Sequence, residues 1–543
     1  MDGATFRWGT EIVRAAGRIP FLQYEPRRRR LPELLQDAAR WCGRDHLVQG
    51  DRRLSFEQFL AATSVVADDL ARRGVTAGQR VLLLAPNSPE WVVALWGGLL
   101  AGAVVAPGNG WWSEPEVDHA VRLIDPALVI GDPKRLAKVP SGTTTVGVDE
   151  IRALVDGVSP SPGVEPATPL WEAGDENEPA LIVFTSGTTG LPKGATLAHR
   201  SVIANLHNLL AVSKSLPHDM PAGAGHVSLL TGPLFHIGGI QALSRALVTG
   251  GTLVFLEGRF EPAAVLDLIE REHVDVWGAV PTMALRVLND PSRPGRDLST
   301  VRSVSLGGAP VAPELVGQLR QAFPNADRGV STVYGMTEAG GTVAAASGRV
   351  MAAHPGTSGR PLAVVDLRID NPDDDGVGEI VVRTPGQMLG YWDEASDAVI
   401  DADGFLRTGD LGRLEDGLLY ITGRSKDIVI RGGENIAAPH VEAVLLQHPA
   451  VSEAAVIGLP HPDLGEEVAA ALVGRAGTDL DPDEVARFVT DRLAHFEVPT
   501  RWWIWAEPLP TNDAGKLDKR FLQASWPAPP AKDRREHDDD HPA

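Results

Sequence analysis

Thr185-Ser186-Gly187-Thr188-Thr189-Gly190-Leu191-Pro192-Lys193-Gly194 is the run in this sequence best suited to chemistry. It follows an apolar stretch, Ala180 to Phe184, that reads as a buried strand, and precedes a helical pattern from about Ser201. A Gly/Ser/Thr loop between a strand and a helix turns backbone N–H groups and hydroxyls toward phosphate oxygens. Lys193 adds a cation on a flexible stem. The run is not a Walker A loop, because Pro192 precedes Lys193 and Gly194 follows it. Nor would a flexible linker carry Lys-Gly directly behind a buried strand.

Lysine is scarce. Of 50 basic residues only Lys134, Lys138, Lys193, Lys214, Lys426, Lys516, Lys519 and Lys532 are lysine. Those that remain are enriched for places where a flexible point charge matters, since arginine serves elsewhere. Lys516 lies in Leu509-Pro510-Thr511-Asn512-Asp513-Ala514-Gly515-Lys516-Leu517, a Gly-containing loop. In between, in order, stand Pro233-Leu234-Phe235-His236, Gly307-Gly308-Ala309-Pro310, Tyr334-Gly335-Met336-Thr337-Glu338, Thr408-Gly409-Asp410, Gly423-Arg424-Ser425-Lys426-Asp427 and Gly432-Gly433-Glu434-Asn435-Ile436.

This ordered set, over nearly the whole chain, resembles the adenylate-forming superfamily of acyl-CoA synthetases, firefly-type luciferases and peptide-synthetase adenylation domains. The resemblance implies ATP, Mg²⁺ and CoA as cofactors and an acyl-AMP intermediate. It implies that Thr185, Ser186, Gly187, Thr188, Thr189, Gly190 and Lys193 cradle the β- and γ-phosphates, with Thr337 at the α-phosphate and Glu338 on the metal. Gly307, Gly308 and Ala309, with Tyr334 and Gly335, would take the adenine side of the nucleotide, and Asp410 and Arg424 the ribose. Lys516 would be the catalytic cation of adenylation, and His236 a pocket wall and gate. Lys426 would be a hinge beside the nucleotide, and Gly432 and Gly433 would face pantetheine. The peptide-synthetase branch uses an aspartate near His236 for its substrate's ammonium. No carboxylate lies between Thr231 and Gln241, which disfavours an α-amino acid.

Two stretches depart from the family pattern. Pro107-Gly108-Asn109-Gly110-Trp111-Trp112 replaces a Pro-Leu-Asn-type step, and Ala437-Ala438-Pro439-His440 stands where Tyr-Pro and Glu are frequent. Twenty residues separate Glu338 from Gly359, leaving no room for the insertion common in ligases that load a carrier protein. The reading is therefore an acid–CoA ligase, with a carrier-protein ligase, an aryl-acid CoA ligase, a luciferase-like oxygenase and a catalytically dead regulator as rivals. The acid is expected to be apolar and sizeable. Ile237-Gly238-Gly239-Ile240, Leu306-Gly307-Gly308-Ala309 and Ala339-Gly340-Gly341-Thr342 lack charge, and their missing side chains would leave volume.

Elements that could position these residues alternate along the chain. Val81 to Leu84 and Ala103 to Ala106 read as buried strands, Glu57 to Leu70 as an amphipathic helix, and Glu415-Asp416-Gly417 as a hairpin turn. Strands near Val364 to Arg368 and Glu379 to Arg383 flank an acidic turn, and Ser159 to Pro169 reads as a linker. The fold class expected is α/β. Residues 1–425 would form a large multi-subdomain N-terminal domain, with mostly parallel sheets and a β-rich part. Residues 426–527 would form a small, mobile α+β domain, and 528–543 a disordered tail.

Composition narrows the partners. The 543 residues carry a net charge of −21, which disfavours binding to nucleic acid. A single cysteine, Cys42, excludes an internal disulfide or a Cys-rich zinc site. No basic-then-apolar leader follows Met1, and the most apolar stretch, Trp91 to Ala106, falls short of the roughly 20 residues that span a bilayer. A cytoplasmic protein with a buried helix there is expected. Arg27 to Arg30 reads as a solvated loop.

Overall fold

The computed structural model describes residues 6–17, 19–158, 174–186, 191–326, 329–392, 399–424, 428–431, 434–475, 477–478, 480–513 and 515–527. The expected linker at Ser159 to Pro169 and the expected tail from 528 lie outside the described residues. The chain divides into two compact units. One comprises residues 1–422 together with 513–516, the other residues 423–512 with 517–543.

The larger unit holds two extended sheets. In the first, the strands Arg80–Leu84, Val104–Pro107, Leu128–Gly131 and Thr145–Gly147 run parallel, as alternating apolar runs and helices require. Pro179–Ser186 joins them in parallel beside Val104–Pro107. The helix Phe56–Arg72 begins at Ser55, whose hydroxyl accepts from the Gln58 N–H while the Ser55 N–H donates to Gln58 Oε1, and it buries its apolar stripe. The helix Pro89–Leu100 is buried on every face, which accounts for its continuous apolar run. No helix among the described residues is long and apolar enough to cross a membrane.

The second sheet has nine strands. Its parallel centre runs through Asp45–Gln49, Thr252–Phe255, Val227–Leu230, Val276–Ala279, Ser303–Gly307 and Val330–Met336. Gly341–Ala346 then turns back antiparallel. A four-stranded sheet follows, of Asp366–Asp370, Gly378–Arg383, Leu406–Glu415 and Leu418–Arg424. The expected hairpin turn carries Asp416 and Gly417 at φ 50° and 74°, the left-handed pair a two-residue turn needs.

The smaller unit is a sheet of Glu434–Ala437, Ile428–Arg431, Gly465–Gly474 and Val451–His461, with Arg501–Trp505 parallel to Gly465–Gly474. Its helices are Ala438–Leu445, Pro482–Thr490 and Lys519–Ala524.

One expectation gains an element and one needs correction. The helix expected from about Ser201 is present, but a strand stands between it and the phosphate-loop run. Pro192–Ala198 is a strand antiparallel to Pro179–Ser186, with Lys193 opposite Thr185, and the helix His199–Val212 begins only afterwards. Strand register, not a helix N-terminus, therefore orients Lys193. The Arg27 to Arg30 run is not a solvated loop. Arg27 and Arg30 are 5% and 8% exposed, and the run pairs with Glu25, Asp37, Glu176 and Glu178. Sequence-distant carboxylates draw the guanidinium groups inward, and local charge density cannot reveal such partners.

Histidines inside this core give a pH dependence. Burial pushes His46, packed on Phe56 and Phe59, and His207, stacked on Tyr24, each down to about 4. Burial, aided by the Arg30 charge, pushes His199 to about 3. Below the ordinary 6.5 the unfolded chain binds protons that the folded rings refuse. Stability is expected to be level from this source above pH 6.5 and to fall as pH drops toward 4. Urea midpoints at pH 7 and pH 5 check this; equal midpoints would contradict it.

Candidate active site

Glu338 sits on the short turn Thr337–Ala339 that ends the strand Val330–Met336. Gly340 follows at φ 73°, and a Cβ there would lie 2.0 Å from the Gly386 carbonyl oxygen, so only glycine lets the two backbones approach. The Met388 N–H donates to the Glu338 carbonyl at 2.8 Å, and the Tyr391 hydroxyl donates to Glu338 Oε1 at 2.9 Å. Tyr391 belongs to a short strand on Pro192–Ala198, with Ala195 opposite Tyr391. Its ring lies under Lys193, whose Nζ is 5.1 Å from the centroid. One tyrosine thus bridges the lysine of the loop and the carboxylate expected on the metal. No cluster of three His, Cys, Asp or Glu side chains suited to a metal occurs among the described residues. A lone carboxylate fits magnesium that takes its remaining ligands from phosphate and water.

Tyr334, on the same strand as the approach to Glu338, donates its hydroxyl to Asp410 Oδ2 at 2.7 Å, with both side chains buried. The Asp410 N–H donates to Thr408 Oγ1 at 3.0 Å, and Thr408 donates onward to the Ile380 carbonyl at 2.7 Å. A fixed buried carboxylate can accept from two vicinal hydroxyls. Gly335 is half of a β-bulge, and a Cβ there would sit 2.0 Å from the Gly341 carbonyl oxygen.

Lys516 groups with the larger unit, as part of residues 513–516. A Cβ on Gly308, at φ 80°, would lie 3.0 Å from Lys516 Cε, so the bare glycine is what admits the lysine stem. The Asn109 amide donates to Asp513 at 2.7 Å, and the Thr282 hydroxyl donates to the Gly515 carbonyl. His236 caps the helix Ile237–Thr249 and feels the same lysine. Burial first, and the Lys516 charge second, push it down to about 4, so it is neutral at pH 7. Its Nε2 is enclosed without a hydrogen-bond partner among the described residues. A neutral imidazole beside an ammonium is a poor cation but a serviceable polar wall. Phe235 packs on His236 at 4.5 Å between centroids and meets Trp111 edge-on at 5.7 Å.

Among the expected site residues, Gly187, Thr188, Thr189, Gly190, Lys426, Gly432 and Gly433 lie outside the described residues. Thr185 and Ser186 end the strand Pro179–Ser186, Ala309 is half-buried after the strand Ser303–Gly307, and Thr337 is half-buried. Arg424 closes the strand Leu418–Arg424 in the smaller unit and is exposed.

The glycine-volume argument is corrected. A Cβ on Gly239 would meet Leu234 Cα at 2.7 Å, one on Gly341 would meet Gln241 Nε2 at 1.6 Å, and one on Gly307 would meet Val333 Cγ2 at 2.7 Å. These glycines serve close packing. Gly238 alone among the six glycines of the three segments meets nothing within 4 Å. Sequence reasoning missed Tyr391 and left Trp111 unassigned. Tyrosine rarity was a usable signal, because the chain has only 4 and two of them lie here.

The AMP-binding enzyme family matches residues 34–392, and the AMP-binding enzyme C-terminal domain matches residues 440–516. A feruloyl-CoA synthase of Amycolatopsis sp. is 33% identical over 87% of this chain and 93% of its own length. The long-chain-fatty-acid–CoA ligase FadD13 of Mycobacterium tuberculosis is 31% identical over 88% of this chain and 94% of its own. Among solved structures, ATP-bound MatB from Rhodopseudomonas palustris superposes with a TM-score of 0.77 at 28% identity, covering 91% of this chain and 99% of that one.

Proposed function

Because the chain belongs to the AMP-binding enzyme family, in its acyl-CoA synthetase branch, we propose that it joins an apolar, sizeable carboxylic acid to the thiol of CoA through an acyl adenylate. A carboxylate oxygen attacks the α-phosphorus of ATP, and the bond to pyrophosphate breaks. The CoA sulfur then attacks the acyl carbonyl and AMP leaves. The observation that carries this reading is Lys516 beside neutral His236 and bare Gly308.

In the first step two anions must meet, and the Lys516 ammonium lowers that cost where charge concentrates. Neutral His236 walls the acyl group without competing for its carboxylate. Thr337 would donate to the α-phosphate, and Lys193, held over Tyr391, would hold the outer phosphates with Thr188 and Thr189. Asp410, oriented by Tyr334 and Thr408, would fix the ribose, with Arg424 donating to the same sugar. Magnesium neutralises phosphate charge when bound; Glu338 would hold it, with Tyr391 orienting the carboxylate. Lys426 would be the hinge that lets Gly432 and Gly433 receive pantetheine for the second step.

The test is acid-dependent AMP release, with thioester measured with and without CoA, across a panel of acids. Thioester formed only with CoA, and most rapidly from bulky apolar acids, is expected. Acetate or an α-amino acid outperforming larger acids would overturn the substrate class. Each buried methylene adds roughly 0.8 kcal/mol, so kcat/KM should climb with size until the pocket fills. Gly238→Trp is expected to reverse that trend, favouring short acids by tenfold or more. An unchanged size profile in the folded variant would move the pocket elsewhere.

A further inference from the structure

The helix Ile237–Thr249 is buried on all sides except one strip. Gly238 is exposed, Ala242 and Arg245 are half-exposed, and every other residue of the helix is buried. These positions recur at four and three residues, so they form a single face. That face starts two residues after His236. Gly238, with nothing within 4 Å of a Cβ, is the open end of this accessible strip.

Arg245 stands at the far end of this strip, two turns from Gly238, about 10 Å along the axis at 1.5 Å per residue. Among the described residues its guanidinium has no hydrogen-bond or ion-pair partner. The residue is partly exposed, so its side chain borders accessible space. Burial holds this guanidinium below the usual arginine range with no carboxylate to offset it. Arginine remains protonated throughout the working pH range, so the strip keeps its cation. A cation in that setting is costly unless an anion or oxygen acceptor meets it.

We propose that Arg245 recognises an oxygen acceptor, best an anionic one, at the distal end of the acid whose carboxylate reacts beside His236 and Lys516. The substrate class is then an apolar-bodied acid with a second oxygen function remote from the reacting carboxyl. This rests on the ligase reading above and narrows it. The apolar middle of the molecule would lie along Gly238 and Ala242, and five N–H donors would be available at its end.

Decanoate, 10-hydroxydecanoate and decanedioate separate the possibilities in the CoA-dependent assay with the full chain. The wild-type enzyme is expected to favour decanedioate over decanoate in kcat/KM by tenfold to a hundredfold, the range for a hydrogen bond to a charged group, with the hydroxy acid between them. Arg245→Met, similar in length and uncharged, should remove that preference and improve decanoate. Arg245→Lys should retain part of the preference, and it stands in if the Met variant does not fold. Decanoate equalling or exceeding decanedioate in the wild type, with the ratio unmoved by either variant, would mean that Arg245 is merely hydrated, and would overturn the proposal. Failure of every acid to give CoA-dependent AMP release would instead overturn the ligase reading.

Discussion

Lys516→Ala is expected to reduce acid-dependent pyrophosphate release by about a hundredfold to a thousandfold while leaving thioester formation from supplied acyl-AMP within tenfold of wild type. Charge builds on the α-phosphate as the carboxylate attacks, and a single well-placed donor to such charge is worth about a hundred- to a thousandfold in rate. Lys516 lies against Gly308 and is near enough to His236 to help keep that imidazole neutral. The second step expels AMP and needs no new cation at the phosphorus, so the loss should fall on one half-reaction. Separate measurement of the two half-reactions checks this. Equal loss in both, from a folded variant, would remove Lys516 from its assigned role. The same substitution should raise the apparent pKa of His236, readable from its imidazole resonances, because a neighbouring positive charge disappears.

Asp410→Ala should act differently. Asp410 is 4% exposed and held by Tyr334 at 2.7 Å, and in the proposed role it would accept from the ribose in every state that contains the nucleotide. Its loss should weaken ATP and acyl-AMP alike, raising KM for ATP roughly a hundredfold and depressing both half-reactions, the mark of uniform binding. Tyr334→Phe removes only the orienting bond and should cost about 1 kcal/mol, several-fold in KM. Steady-state kinetics over ATP concentration, with a thermal melt to verify folding, decides the matter. An unchanged KM in a folded Asp410→Ala protein would place the ribose elsewhere.

The contrast between these two residues shows how far local sequence carries. Lys516 and Asp410 received their expected roles because each lies in a short run that resembles a motif of the family. Tyr391 was not, because its meaning depends on a strand pairing. Only once Ala195 lies opposite Tyr391 does the tyrosine come under Lys193 and against Glu338. The glycines failed in the same way. Sequence lists where a side chain is missing, but whether the absence makes a void or admits a neighbouring backbone depends on what faces it. Gly238 faces open space, whereas Gly239 faces the backbone of Leu234.

The sequence by itself determined the alternation of strand and helix, and an ordered set of short motifs whose resemblance pointed to the family. These are local features, which the chain carries wherever it folds. Tertiary structure alone decided that Arg27 and Arg30 turn inward to distant carboxylates, that a second strand stands between the phosphate loop and its helix, and that Arg245 ends an open strip without a partner among the described residues. Each of these depends on groups far apart in sequence meeting in space. Burial and pairing are properties of that meeting, and no single segment encodes them.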